Sequence, residues 1–158
     1  MALGFGLVAP QDWDDVLKGG RGGDEVDPGQ YLGKFNAFRH VEASEKMKGR
    51  GVFFGGFELV EGNDPKWVGK KVECSFNYHP NPPAANMEAM NSITLQRMAE
   101  LATACQVEMV VDSGTGMFNL PATLTAAAVA GPVVKFTVSH RVENGKKYQD
   151  VGGFQALV

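Results

Sequence analysis

Three segments between Tyr31 and Tyr78 alternate apolar and polar residues at the two-residue period of a half-buried strand, which restricts the possible folds more than any other feature of the chain. The first, residues 31–41, sets Tyr31, Gly33, Phe35 and Ala37 against Leu32, Lys34, Asn36, Phe38 and His40. The second, residues 51–61, sets Phe53, Gly55, Phe57 and Leu59 against Val52, Phe54, Gly56 and Glu58. The third, Lys71–Tyr78, sets Val72, Cys74, Phe76 and Tyr78 against Lys71, Glu73, Ser75 and Asn77. Glycine weakens a strand but permits the strong coiling that a small barrel requires.

Pro80-Asn-Pro-Pro83 stops the third strand, and a helix follows. Asn86 is its expected N-cap, with Glu88 in the first turn. Met90, Thr94, Met98, Leu101 and Cys105 then recur at helical spacing and form an inward stripe. A short alanine-rich helix is expected over Leu120–Ala130, ending at Gly131-Pro132. Residues 133–142 alternate Val134, Phe136 and Val138 against Lys135, Thr137 and Ser139. Asn144-Gly145 is a strong hairpin signal, and residues 147–158 supply a fifth strand. The predicted fold is all-β with one main helix, in the order β-β-β-α-β-β, which is the order of a five-stranded OB-fold-like barrel.

At 158 residues the chain is long enough for one domain with a substantial core. Residues 1–29 read as a flexible, acidic N-terminal arm containing Trp13, and residues 30–158 as the OB-fold-like domain. Cys74 and Cys105 show no metal or redox spacing and are expected as small buried hydrophobes. The longest apolar run, residues 126–134, is too short to cross a membrane, and the first nine residues lack the basic leader of a signal peptide. These features predict a cytoplasmic protein with no membrane partner.

The net charge of −3 is unevenly distributed. Residues 1–30 hold two basic and six acidic side chains, and residues 80–131 hold one and four. Residues 31–79 hold eight and six, and residues 132–158 four and two, so the strand-rich segments are the basic ones. Attraction to phosphate depends on this local surface.

Several motifs resemble one family of small phage and prophage proteins, long catalogued as a domain of unknown function. They are Gly29-Gln-Tyr31, Phe57-Glu-Leu-Val-Glu-Gly62, Gly69-Lys-Lys-Val72 and Asn77-Tyr-His-Pro-Asn-Pro82, with the helix over residues 90–107 and the segment 124–131. The resemblance covers about residues 28–157. It implies an OB-fold single-stranded-DNA-binding protein encoded among replication and recombination genes, acting in the host cell cytoplasm. Single-stranded DNA is then the expected partner, with a homo-oligomer and replication or recombination proteins as further ones.

Binding a single strand requires cations that follow the phosphates and aromatic faces that stack bases. Strand 1 and its loop offer Lys34, Phe38, Arg39, His40, Lys46, Lys48 and Arg50. Phe54 stands on the second strand, Trp67 and Lys71 at the third, and Arg141, Lys146, Lys147 and Tyr148 on the last hairpin. These fourteen residues are the candidate nucleic-acid site.

No catalytic constellation is evident. His40, His79 and His140 belong to no ligand motif, and Gly19–Gly23 lacks the lysine and helix of a phosphate-binding loop. Ser113-Gly-Thr-Gly116 is not a nucleophile elbow. The expectation is a non-enzyme with no cofactor and no metal. The alternative is a phage protein-interaction or assembly module using the same barrel without nucleic acid. A small-ligand barrel would need an interior cavity, and Tyr31, Phe35, Phe57, Phe76 and Phe136 are expected to fill that space.

Overall fold

The computed structural model describes residues 23–157. Most of the expected N-terminal arm, including Trp13, lies outside them. The elements are β1 (Gly29–Val41), β2 (Gly51–Leu59), β3 (Lys71–Tyr78), α1 (Ala85–Cys105), α2 (Leu120–Ala130), β4 (Val133–Glu143) and β5 (Lys146–Gln155). The strands form one antiparallel sheet in the order β3-β2-β1-β4-β5. The central strand β1 pairs with β4 through its first half and with β2 through its second.

The alternation expected along β1 fails at one point. Phe35 pairs with Phe57 but Ala37 with Gly56, so β1 advances two residues while β2 advances one. This β-bulge inverts the faces of everything after it. Phe38 and His40, which unbroken alternation puts on the solvent-facing side with Lys34 and Asn36, lie in the core at 8% and 6% exposure, and Arg39 and Val41 take the outer face in their place. Gly55 and Gly56 face the bulge across the ladder.

The core lies between one face of the sheet and the two helices. Phe35, Phe57, Phe76 and Phe136 are fully buried there with Leu101 and Leu124, as the strand patterns require. A smaller apolar cluster of Val41, Met47, Val52 and Phe54 occupies the other face of the sheet. Helix α1 starts after Ala84, which makes no side-chain cap, rather than at the expected Asn86. Helix α2 has the expected bounds. Its N-terminus is capped by Asn119, whose side chain accepts from the Ala122 N–H, and it ends at Gly131 in the left-handed region.

The sheet does not close. Strands β3 and β5 are its outermost strands and share no ladder. The free edge of β3 is covered by side chains of α1 instead. Asn91 accepts from the His79 N–H at 2.7 Å and donates to the His79 carbonyl at 2.8 Å. Thr94 donates to the Asn77 carbonyl, and Arg97 Nη1 donates to the Ser75 carbonyl at 2.8 Å. Arg97 Nη2 reaches across to the Val151 carbonyl of β5 at 3.1 Å. Three residues spaced by three on one helix face thus satisfy alternate residues of an antiparallel strand edge, which would otherwise carry unpaired carbonyls.

Residues 23–27 cover the start of the same edge. The Asp24 N–H donates to the Lys71 carbonyl, and its carboxylate accepts from the Lys71 N–H at 2.8 Å. Val26 is 1% exposed and part of the main core. Its N–H donates to Gln149 of β5 at 2.9 Å, and its carbonyl bonds the His140 ring of β4 at 2.8 Å.

Candidate nucleic-acid interface

Two segments converge on one side of the sheet. The β1–β2 connection, residues 42–50, contains a short 3-10 turn, Glu45–Met47, capped by Ser44. Met47 is buried against Val41, Val52 and Phe54, anchoring the turn, while Lys46 and Lys48 on either side of it are exposed. Gly49 and Gly51 let the connection press against the end of β3. A Cβ on Gly49 would lie 2.5 Å from the His79 ring, and one on Gly51 would lie 2.3 Å from Tyr78.

The β4–β5 hairpin approaches from the other side. Asn144 and Gly145 have φ of 52° and 75°, the two left-handed residues of a type I′ turn, as expected from the sequence. Arg141 lies 4.6 Å from the centre of the Tyr148 ring opposite it and forms ion pairs with Asp150, at 2.8 Å, and with Glu143.

Between these walls run two adjoining depressions. One, of about 940 Å³, lies along the β3–β5 seam with Arg97, Ser75, Asn77 and Asp150 on its surface. The other, of about 390 Å³, lies between the β1–β2 connection and the hairpin, over Val52 and Phe54. They share Ser75, Asn77, Arg141 and Tyr148 and so form one groove. Seven basic side chains line it: Lys46, Lys48, Arg50, Arg97, Arg141, Lys146 and Lys147. Three acidic ones do: Glu73, Glu143 and Asp150.

Of the fourteen residues expected at the site, the groove brings together Lys46, Lys48, Arg50, Phe54, Arg141, Lys146, Lys147 and Tyr148. Phe54 is its buried floor, 4% exposed, rather than an open platform. Arg39 sits at the edge, 4.5 Å from the Phe54 ring centre and 3.8 Å from Glu73. The remaining five stand apart from the groove lining. Phe38 stacks on Phe53 in the core at 5.4 Å, and His40 stacks on the same ring at 4.1 Å. Lys34 lies against Gly131 at the end of α2. Trp67 packs at the edge of the core with Lys66 5.0 Å from its ring, and Lys71 is held through its backbone by Asp24.

Burial sets the protonation of the groove's neighbours. It pushes the Glu73 carboxyl above its ordinary value, against the pull of Arg39. Burial also holds His40 below 6.5, and its Nε2 lies 2.5 Å from the Tyr78 hydroxyl. The Cys74 and Cys105 thiols are pushed up to about 12 by burial, far from the thiolate that nucleophilic or redox chemistry uses. Among the described residues no group of three or more His, Cys, Asp or Glu side chains stands ready to hold a metal.

Sequence reasoning missed Arg97. It is the one basic residue between positions 80 and 131, and it falls within the inward stripe, between Thr94 and Leu101. A lone cation on the apolar face of a helix signals that its charge has a specific destination. No protein-family model matches the chain, and no curated protein matches it.

Proposed function

We propose that this chain binds single-stranded DNA without strong sequence preference, along the groove between the β1–β2 connection and the β4–β5 hairpin. One observation carries the reading: seven basic and three acidic side chains line a single groove in a chain whose net charge is −3. Elements distant in sequence concentrate positive charge where a strand can lie, and the half-buried ring of Tyr148, with Arg141 over one face, offers its other face for a base. The fold is then a partly open OB-like barrel. Strands β3 and β5 would be neighbours on closing it, and α1 plugs their seam through Arg97. In such barrels the first and last hairpin connections flank the face that takes oligonucleotides.

The reading extends to the biological setting. The chain belongs with the small phage proteins that its turn motifs resemble, and it coats exposed strand during replication or recombination in the host cytoplasm. Among the described residues no helix is long and apolar enough to cross a membrane.

Fluorescence anisotropy of a labelled polythymidine strand, at low and moderate salt with duplex as competitor, tests this. The expected result is salt-sensitive binding that duplex fails to displace, weakened by Lys48→Glu and by Lys146→Glu. Absence of binding at low salt, or equal displacement by duplex, overturns it.

A second reading rests on a different surface. Leu95, Met117 and Phe118 are 56%, 68% and 68% exposed around a depression of about 270 Å³. Exposed apolar clusters of this kind mark protein contacts. An assembly module would use that side of α1, and a stable oligomer by mass measurement together with no affinity for DNA would favour it.

A further inference from the structure

The groove is already engaged by the chain's own acidic segment. Glu25 forms an ion pair with Lys147, 122 residues away, and Lys147 lines the seam depression. Glu25 is exposed, and both members of the pair are open to solvent. The residues on either side of it are fixed. Asp24 is bonded to Lys71 of β3 and, through its carbonyl, to the Gln149 side chain at 3.0 Å, while Val26 is locked into the core. The backbone therefore presents the Glu25 carboxylate to Lys147 from a rigid mount, with little ordering left to do when the pair forms. The hydrogen bond and charge of Lys147 hold the Glu25 carboxyl below its ordinary value.

We propose that Glu25 is an internal competitor for the phosphate position at Lys147, so that the strap formed by residues 24–26 regulates the groove. This rests on the nucleic-acid reading above and adds to it. A carboxylate and a phosphate oxygen present the same charge-assisted acceptor to a lysine ammonium. An incoming strand displaces Glu25 from Lys147 while Asp24 and Val26 keep the strap in place. The pair is exposed, so its strength is small and the competition is graded.

A double-mutant cycle in the full chain tests this with labelled polythymidine. Glu25→Gln is expected to tighten binding about two- to fivefold, the range an exposed ion pair represents. The log–log salt slope is expected to stay the same, because Lys147 meets a phosphate in the complex of either protein. In a Lys147→Gln background, Glu25→Gln is expected to change neither quantity. Equal gains in both backgrounds would show that Glu25 acts only as one more distant negative charge, and would overturn the competitor. Unchanged affinity in Glu25→Gln with an unchanged melting temperature would overturn it as well. Binding by none of the four proteins would overturn the nucleic-acid reading together with this one, an outcome distinct from wild-type binding without coupling.

Discussion

The Arg39 guanidinium lies 4.5 Å from the centre of the Phe54 ring, so the largest aromatic on the outer face of β2 is covered by a cation of its own chain. Arg39 and Phe54 are direct cross-strand partners, and Met47 and Val52 complete the ring's enclosure. Phe54 is therefore a packing residue that holds the β1–β2 connection over the groove. Phe54→Ala is expected to cost about 3–5 kcal/mol of stability, read from denaturant unfolding. Phe54→Leu, which keeps most of the packing, is expected to leave polythymidine affinity unchanged within about threefold. Tyr148→Ala should behave in the opposite way. Its ring is only half-buried on an exposed hairpin, so stability should change little while affinity falls by about 1–3 kcal/mol, the contribution of one stacked base. A Phe54→Leu protein that folds normally and has lost binding would contradict the assignment of Phe54 to packing.

Arg97 bridges the two strands that fail to pair, and its guanidinium also lies 4.9 Å from the centre of the Phe76 ring. Two carbonyls on different strands require a planar fork, which lysine lacks. Arg97→Ala is expected to cost about 3 kcal/mol, because it leaves the Ser75 and Val151 carbonyls without this donor at the seam. Arg97→Lys should recover only part of that loss. Hydrogen exchange is the discriminating measurement: faster exchange should concentrate in β3 and β5 and leave the β1–β2 ladder protected. Uniform acceleration would show that Arg97 stabilises the whole fold rather than the seam.

The neutral form of His40 is favoured in the folded state, since burial holds its pKa below 6.5. The unfolded chain therefore takes up the proton at a higher pH than the folded one. Between 6.5 and the lower folded value the unfolded state binds more protons, so stability falls as pH falls through that window and is fully present above it. The His40 contribution to the urea midpoint, opposite in sign to that of Glu73, is expected to drop on going from about pH 7 to pH 5. His40→Phe removes the titrating group while retaining a ring against Phe53, and should flatten the drop. A variant curve parallel to that of the wild type would place the acid sensitivity elsewhere.

Local patterns made much of this fold legible. Strand β3, helix α2 and the Asn144-Gly145 turn stand where period, capping and turn chemistry put them. The bulge in β1 was not legible, because alternation gives the spacing of a strand and not the register of its partner. That one extra residue is why Phe38 and His40 are core residues and Arg39 is an outer one. The strap was hidden for a related reason. Val26 is a single apolar residue among Asp24, Glu25 and Asp27, and only the fold shows that the seam has room for it. Eight of the fourteen candidate residues come together in the groove, six of them basic residues in or beside the two connections, where composition alone pointed. The polar floor from β3, Ser75 and Asn77, carries no charge to draw attention to it.

Glu73 lines the groove as a partly buried carboxylate, with Arg39 3.8 Å away and one oxygen lacking a hydrogen-bond partner. Burial raises its pKa above 4.5, so the folded chain holds this proton more tightly than the unfolded one. Stability from this group therefore declines as pH rises from 4.5 through the folded value, because ionisation is less favourable in the folded chain than in the unfolded one. Glu73→Gln removes that decline and one of the three acidic groups facing the groove. The variant is expected to be at least as stable as the wild type at pH 7 and to bind polythymidine about twofold more tightly or better. Thermal unfolding at pH 5 and pH 7, paired with anisotropy at both, reads the two effects separately. Weaker binding in Glu73→Gln would mean that the Arg39–Glu73 pair orients the groove, and that its geometry outweighs the removal of one negative charge.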